Sequence, residues 1–141
     1  MIGRLNGGLV ENCHVVDSAV TIYNWTAAGL VSQVNAGDIK NCSVTGTTIT
    51  GYAAIGGIVG IRLSSGETTI ENCLVKNCKL VSNGDFGGDY TKMFGLVLGA
   101  TYDGGATVNI NNCTVESNTI KNEASSVVCG YVESGDTVNI K

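Results

Sequence analysis

The chain has 141 residues, enough for one domain, with 20 glycines, no proline and a net charge of −4. Val, Ile and Thr supply 42 of these 141 residues and favour β-strands, so the composition excludes a helical bundle, a collagen-like chain and a charged disordered tail. Because only 8 basic residues stand against 12 acidic ones, we expect no nucleic-acid partner.

The first residues carry no targeting signal. Residues 1–4 lead directly into Asn6-Gly7-Gly8, without the apolar stretch of a signal peptide. No run of about 18 apolar residues follows anywhere in the chain, so we expect no membrane insertion by this segment.

Four repeats then follow one another along the chain. Each has an Asn-Cys dipeptide preceded by an aliphatic residue and followed by a valine and a second aliphatic; the dipeptides are Asn12-Cys13, Asn41-Cys42, Asn72-Cys73 and Asn112-Cys113. Their spacings of 29, 31 and 40 residues are typical of a solenoid. We predict one domain, residues 1–141, with repeats at 10–38, 39–69, 70–109 and 110–139. Because the pattern is cut within a repeat at both ends, we expect an excerpt of a larger protein.

Each repeat also holds a second aliphatic segment, which ends in a Gly-rich turn. These segments are Gly29-Leu30-Val31, Gly57-Ile58-Val59, Gly95-Leu96-Val97 and Ser126-Val127-Val128. Short runs in which alternate residues are aliphatic predict strands, and such strands bury both faces only when they stack in parallel sheets. The predicted fold is all-β: a parallel β-helix solenoid of about four coils of roughly 29–40 residues, right-handed because parallel crossover connections are.

The Asn-Cys dipeptides predict a structural ladder at one corner of the coil. Asparagine tolerates left-handed backbone angles, and its side-chain amide can bond the asparagines above and below and satisfy buried main-chain groups. We therefore assign Asn12, Asn41, Asn72 and Asn112 to a stacked row. Beside it, Cys13, Cys42, Cys73 and Cys113 form an inner row of free thiols, since parallel Cβ vectors oppose disulfides between stacked residues.

The run Gly56-Gly57-Ile58-Val59-Gly60, followed by Ile70-Glu71-Asn72-Cys73, resembles the GLUG repeat. About four copies cover nearly the whole chain. Only repeat 2 holds a full Gly-Ile-Val-Gly: Ser32 and Cys129 stand at the second glycine in repeats 1 and 4, and Leu98 shifts it in repeat 3. The resemblance implies a β-helix segment of a large bacterial cell-surface protein, often adhesin-like, and it carries over no catalytic residue.

Repeat 3 is about ten residues longer than its neighbours, and the extra length predicts a loop. Insertions in solenoids often form the binding face, and aromatic rings beside carboxylates suit a sugar or a peptide. The candidate ligand-binding residues are Asp85, Phe86, Asp89, Tyr90, Tyr102 and Asp103. The alternative is a self-packed loop whose Phe86 and Phe94 cover the side of the coil.

No catalytic or metal-binding constellation emerges from the sequence. The chain has one histidine, His14, at a position that alternation places outward, and no Cys-x-x-Cys pair. The acidic residues are scattered rather than paired, whereas glycan-cleaving enzymes need two positioned carboxyl groups. We therefore predict no enzyme activity, no metal and no cofactor.

The predicted function is a non-catalytic structural and binding module of an extracellular, adhesin-like bacterial surface protein. Its loops would bind a glycan or a protein, from the host or from a surface. One alternative is a fragment of a carbohydrate-active β-helix protein, of the polysaccharide lyase or hydrolase kind. Another is a segment of a trimeric fibre, and the open strand edges at both ends also predict end-to-end self-association.

Overall fold

The computed structural model describes residues 1–23, 25–84, 93–121 and 125–141. These residues form 20 strands, and no helix occurs among them. The described residues therefore contain no helix that could span a membrane. The all-β class predicted from the sequence is therefore confirmed. Every strand pairing in the described part of the chain is parallel.

Sheet A has eight strands and is the largest of four sheets in the described residues. Its strands are β1 (Ile2–Glu11), β5 (Val31–Lys40), β9 (Val59–Leu63), β10 (Gly66–Glu71), β14 (Leu98–Tyr102), β15 (Ala106–Asn111), β19 (Cys129–Tyr131) and β20 (Thr137–Ile140). β1 and β5 run for ten residues without a break. In later repeats a turn divides this length in two, so β5 pairs with β9 along its first half and with β10 along its second.

Three smaller sheets have four short strands each. Sheet B contains β2 (His14–Val16), β6 (Ser43–Thr45), β11 (Leu74–Lys76) and β16 (Thr114–Glu116). Sheet C contains β3 (Ala19–Thr21), β7 (Thr48–Gly51), β12 (Lys79–Ser82) and β17 (Thr119–Lys121). Sheet D contains β4 (Thr26–Ala28), β8 (Ala54–Gly56), β13 (Phe94–Gly95) and β18 (Ser125–Ser126).

The chain visits sheets B, C, D and A in this order four times, and each visit adds a strand beside the one from the previous repeat. Equivalent residues pair in register, so the valine two residues after each cysteine forms the row Val15, Val44, Val75 and Val115. We call the strands of one visit a layer. The register shows that consecutive Asn-Cys dipeptides lie in consecutive layers.

The inward rows of all four sheets pack into one apolar core. Val44, Ile49, Val75 and Leu80 are completely buried there, and the two inner layers are better covered than the first and last. Alternating burial in strands such as β7 and β15 agrees with the period-2 pattern of the sequence. Apolar burial of this kind is the main favourable term in folding.

The chain turns at two corners in every repeat, and both corners use left-handed residues. Asn12, Asn41, Asn72 and Asn112 occupy the first corner with φ between 51° and 55°. Five residues later, a second left-handed row holds Asp17, Gly46, Asn77 and Ser117. Asn, Asp and Gly tolerate these angles best. The sequence pattern did not lead us to predict the second row, although its residues follow the asparagines at a constant distance of five residues.

The corner asparagines lie at the surface, which corrects the expectation that they satisfy buried main-chain groups. Their N–H groups donate to carbonyl oxygens of the next layer, as from Asn41 to Glu71 at 3.0 Å. Between the side chains, Asn72 Nδ2 donates to Asn41 Oδ1 at 3.2 Å, and Asn41 Nδ2 donates to Glu11 Oε1 at 3.3 Å. Main-chain bonds between layers therefore hold the corner, and the amides add contacts on its outside.

The alignment of the glycine motif that the sequence predicted is wrong by one residue in repeats 3 and 4. Val59 pairs with Leu98, and Leu98 pairs with Cys129, so neither Leu98 nor Cys129 occupies the second-glycine position. That position belongs to the row that contains Ser32, Gly60, Gly99 and Gly130. A Cβ on Gly60 would lie 2.6 Å from the carbonyl oxygen of Ser32, and one on Gly99 would lie 2.4 Å from that of Gly60. Close approach of neighbouring main chains explains the glycines.

Arg62 fixes the turn between β9 and β10 from inside. Its side chain is 1% exposed, and it faces inward beside Val34, its partner residue on β5. The guanidinium donates to the carbonyl oxygens of Asn35 at 2.6 Å and of Ser65 at 3.1 Å, and also to that of Leu63. Burial lowers the pKa of Arg62, and the negative charge of Asp136 opposes this shift. Carbonyl oxygens thus replace water at the two terminal nitrogens of the guanidinium, whereas Nε has no hydrogen-bond partner in the described part of the chain.

Candidate functional site

A second apolar cluster lies apart from the main core, where sheet D meets sheet A. Its buried members are Ala54, Ile61, Met93 and Ala100. Ile61 on β9 and Ala100 on β14 pair across layers, and neither belongs to the main core. The second cluster is therefore a separate packing unit built on β8, β9 and β14.

Three aromatic rings lie on this cluster and form the most ring-rich surface among the described residues. They are Trp25, Tyr102 and Tyr131, each half-buried, and we call them the aromatic face. Trp25 and Tyr102 meet edge to face, with ring centroids 5.6 Å apart and an interplanar angle of 85°. Such a pair holds both rings in fixed orientations, because the edge of one ring is attracted to the face of the other.

Carboxylates lie beside the aromatic face. The hydroxyl of Tyr131 donates to Glu133 Oε2 at 2.9 Å, and the main-chain N–H of Glu133 donates to the hydroxyl of Thr101 at 3.1 Å. Asp103 follows Tyr102 directly, is exposed, and has a φ of 85° in the turn that ends β14. The arrangement offers ring surfaces together with hydrogen-bond acceptors, which is the chemistry of a site for a hydroxyl-rich ligand.

The structure places part of the predicted ligand-binding loop. Tyr102 lies in the aromatic face, and Asp103, the next residue in the chain, is exposed. Asp85, Phe86, Asp89 and Tyr90 lie outside the described residues. The residue that follows this segment, Met93, is 2% exposed in the second cluster. The segment that precedes it ends at Gly84, where an added Cβ would lie 3.6 Å from the ring of Tyr52. Both ends of the insertion therefore meet apolar or aromatic side chains.

Sequence reasoning missed Trp25, Tyr131 and Glu133 as members of this surface. A signal was present, because the positions one and three residues after the second glycine are apolar or aromatic in repeats 2 and 3: Ile61, Leu63, Ala100 and Tyr102. Apolar residues that recur at alternate positions of a strand indicate that this side of the strand is covered. Trp25 comes from an earlier repeat, and only the stacking of layers brings it to Tyr102.

The cysteine row lies at the first corner, and all six cysteines of the chain are free. Each thiol of the row donates to the carbonyl oxygen two residues before it, as Cys42 does to Lys40 at 3.1 Å and Cys73 to Glu71 at 3.3 Å. These thiols thus carry hydrogen bonds at the corner in addition to filling the core. Cys78 belongs to a different row, with Ser18, Thr47 and Asn118, and burial raises the pKa of its thiol.

The remaining candidate groups are separate from one another. His14 is exposed, and its Nδ1 lies 2.8 Å from the hydroxyl of Ser43 in the neighbouring layer. Within the described ranges, no group of three or more His, Cys, Asp and Glu side chains lies close enough to hold a metal ion. Lys40 pairs with Glu71 at 3.7 Å and Lys76 with Glu116 at 3.0 Å, so these charges link neighbouring layers at the surface.

An apolar cavity of about 210 Å³ opens at the first layer. Its lining residues are Met1, Ile2, Gly3, Ile22, Ala28 and Ser32. The cavity lies at the first layer, away from the aromatic face.

Residues 23–50 match the family model of the GLUG motif. This segment contains Trp25, the glycine segment of repeat 1 and the dipeptide Asn41-Cys42. The resemblance predicted from the sequence is confirmed for these residues. No curated protein and no solved structure matches the chain.

Proposed function

We propose that this chain is a β-helix segment of an extracellular bacterial surface protein, adhesin-like and non-catalytic, that binds a glycan at the aromatic face. About four right-handed coils would support the face. The proposal of a helix rests on the repeated visits to sheets B, C, D and A, on their parallel register and on one core shared by all four sheets. Extracellular location rests on the match of residues 23–50 to the GLUG motif.

The observation that carries the binding proposal is the pair of rings, Trp25 and Tyr102, held at 85° beside carboxylates. Sugar rings present C–H groups on their faces and hydroxyls at their edges. Aromatic side chains bind the C–H faces through apolar contact, and carboxylate oxygens accept hydrogen bonds from the hydroxyls. The second cluster beneath the rings is fully buried, so the face is rigid and loses little entropy on binding.

Tyr102→Ala should weaken glycan binding about tenfold or more, because loss of one ring contact of about 1.5 kcal/mol corresponds to that factor. The measurement is a glycan array, followed by titration calorimetry with the glycans that bind. Leu9→Ala is the matched control, since Leu9 is an exposed apolar side chain on β1 outside the aromatic face, and it should bind as wild type.

Two results would contradict this proposal. If no glycan binds, or if Tyr102→Ala binds as tightly as wild type, the aromatic face is not a glycan site. If the protein releases reducing ends from a polysaccharide that it binds, the carbohydrate-active alternative replaces the non-catalytic one.

We also propose self-association through the open ends of the sheets. The large apolar side chains that are exposed belong to the first and last layers among the described residues: Met1, Leu9, Val16, Tyr23, Val127, Val132 and Ile140. Each smaller sheet ends in a strand of the first layer on one side and of the last layer on the other, and such edges pair with further strands. Sedimentation velocity over a hundredfold concentration range should give a rising average mass. A mass of one chain at every concentration would contradict end-to-end association.

A further inference from the structure

The aromatic face is assembled from three different layers. Trp25 precedes β4 in the first layer, Tyr102 ends β14 in the third, and Tyr131 ends β19 in the fourth. Neighbouring layers of parallel strands lie about 4.8 Å apart, so two steps separate the main chains of Trp25 and Tyr102 by about 10 Å along the stack. Their ring centroids are only 5.6 Å apart. The two side chains therefore reach toward each other along the stacking direction.

The second layer leaves room for this pair of rings. The residue that follows Trp25 in the stack is Ala53, whose N–H donates to the Trp25 carbonyl oxygen at 3.1 Å and which is completely buried. The residue that pairs with Tyr102 is Leu63, which packs half-buried against the second cluster. Neither carries a ring, so the pair formed by Trp25 and Tyr102 spans the second layer and continues the aromatic face across it.

Tyr131 extends the aromatic face by one more layer. It pairs with Ala100, which pairs in turn with Ile61, and both of these residues are completely buried in the second cluster. The ring of Tyr131 packs on the same cluster, and its hydroxyl donates to Glu133 at 2.9 Å. From the first layer to the fourth, three steps give the aromatic face a length of about 14 Å along the stack.

A face with these dimensions suits a chain of sugars better than a single sugar. One pyranose residue of an extended, β-1,4-linked glycan is nearly as long as one layer step, so consecutive sugars keep pace with consecutive layers. A coiled chain, such as an α-1,4-linked glucan, turns away from any one line within a few sugars. Because the buried cluster holds the rings in place, an extended chain would meet them without a large loss of side-chain entropy.

We propose that the aromatic face binds an extended, β-linked glycan lengthwise along the stack, with about three consecutive sugars in contact with it. This inference rests on the proposed function and adds the class of glycan and the direction in which it lies. Trp25 and Tyr102 contact the sugars at one end, and Tyr131 contacts the sugar at the other end, where Glu133 accepts hydrogen bonds from hydroxyls. Affinity therefore depends on chain length, because a single sugar reaches only part of the face.

The test is titration of the folded chain with cellulose and chitin oligosaccharides of one to six sugars, followed by the fluorescence of Trp25, the only tryptophan in the sequence. We expect binding to tighten about tenfold for each sugar that reaches a further ring, up to three sugars, and to change little beyond that length. Malto-oligosaccharides, which are α-1,4-linked, should bind more weakly at every length.

The outcomes of this titration separate the inference from the proposed function. Equal affinity for one sugar and for three, or for the extended and the coiled series, would overturn the lengthwise site while glycan binding still stands. Binding of other glycans on the array without binding of either extended series would overturn it in the same way. If no glycan binds at all, the proposed function fails and the inference fails with it.

Tyr131→Ala tests the end of the site in the fourth layer. It should weaken binding of a trisaccharide about tenfold and change that of a disaccharide less than about twofold, because a disaccharide can contact Trp25 and Tyr102 alone. Tyr131→Phe is the matched control, since it loses the hydrogen bond to Glu133 but keeps the ring, and it should retain the dependence on chain length. Equal weakening of both lengths in Tyr131→Ala, or none in either, would overturn the lengthwise arrangement. The wild-type length series tests the proposal even if Tyr131→Ala does not fold.

Discussion

Replacing Phe94 with alanine is expected to destabilise the protein by about 3–5 kcal/mol, the range for a phenylalanine removed from a packed core. Phe94 is 0% exposed and lies in the main core, where β13 pairs with β8 on one side and β18 on the other. Truncation leaves a cavity that main-chain hydrogen bonds of three layers prevent from closing. The measurement is urea unfolding followed by circular dichroism, with midpoint and slope compared to wild type.

Two control variants accompany Phe94→Ala. Phe94→Leu keeps most of the apolar volume and should cost less than half as much. Val127→Ala removes an apolar side chain that is 60% exposed, so the unfolding free energy should stay within about 0.5 kcal/mol of wild type. A loss within that margin for Phe94→Ala would contradict its packing in the main core. That packing already differs from the alternative read from the sequence, in which Phe94 covers the side of the coil.

Gly56→Ala is expected to cost about 3 kcal/mol or more. An added Cβ would lie 1.7 Å from the carbonyl oxygen of Val59 and 3.1 Å from the main-chain nitrogen of Gly99. Both contacts are with main chain, so the turn between sheets D and A would have to open, and the layers stacked on it would shift. Thermal and urea unfolding measure the loss of stability.

Gly3→Ala is the matched control for this prediction. Gly3 lies on β1, and an added Cβ meets no atom within 4 Å, so the variant should be neutral or slightly more stable than wild type. Alanine restricts the unfolded chain more than glycine does. Equal losses in Gly56→Ala and Gly3→Ala would mean that the glycine motif serves chain flexibility rather than close approach.

The strongest sequence signal concerned the strands and their register. Asn41-Cys42 and Asn72-Cys73 occupy the same corner in consecutive layers. Val44 and Val75 therefore pair as predicted. The glycine segments of repeats 1 and 2 pair as predicted, whereas those of repeats 3 and 4 were read one residue out of register. Residues 56–60 contain three glycines, and the sequence does not distinguish which of them approaches the neighbouring main chain.

The sequence by itself determined the all-β class, the parallel repeat pattern and the positions of the inward aliphatic rows, because these follow from local alternation and from a recurring dipeptide. The tertiary structure decided which residues meet across layers. Trp25 and Tyr102 are far apart in the chain and form a pair only because the layers stack, and Arg62 is buried only because the carbonyl oxygens of two layers surround it. Periodicity encodes which side a residue faces, whereas contacts between repeats depend on the distance between layers and on the turns that join them.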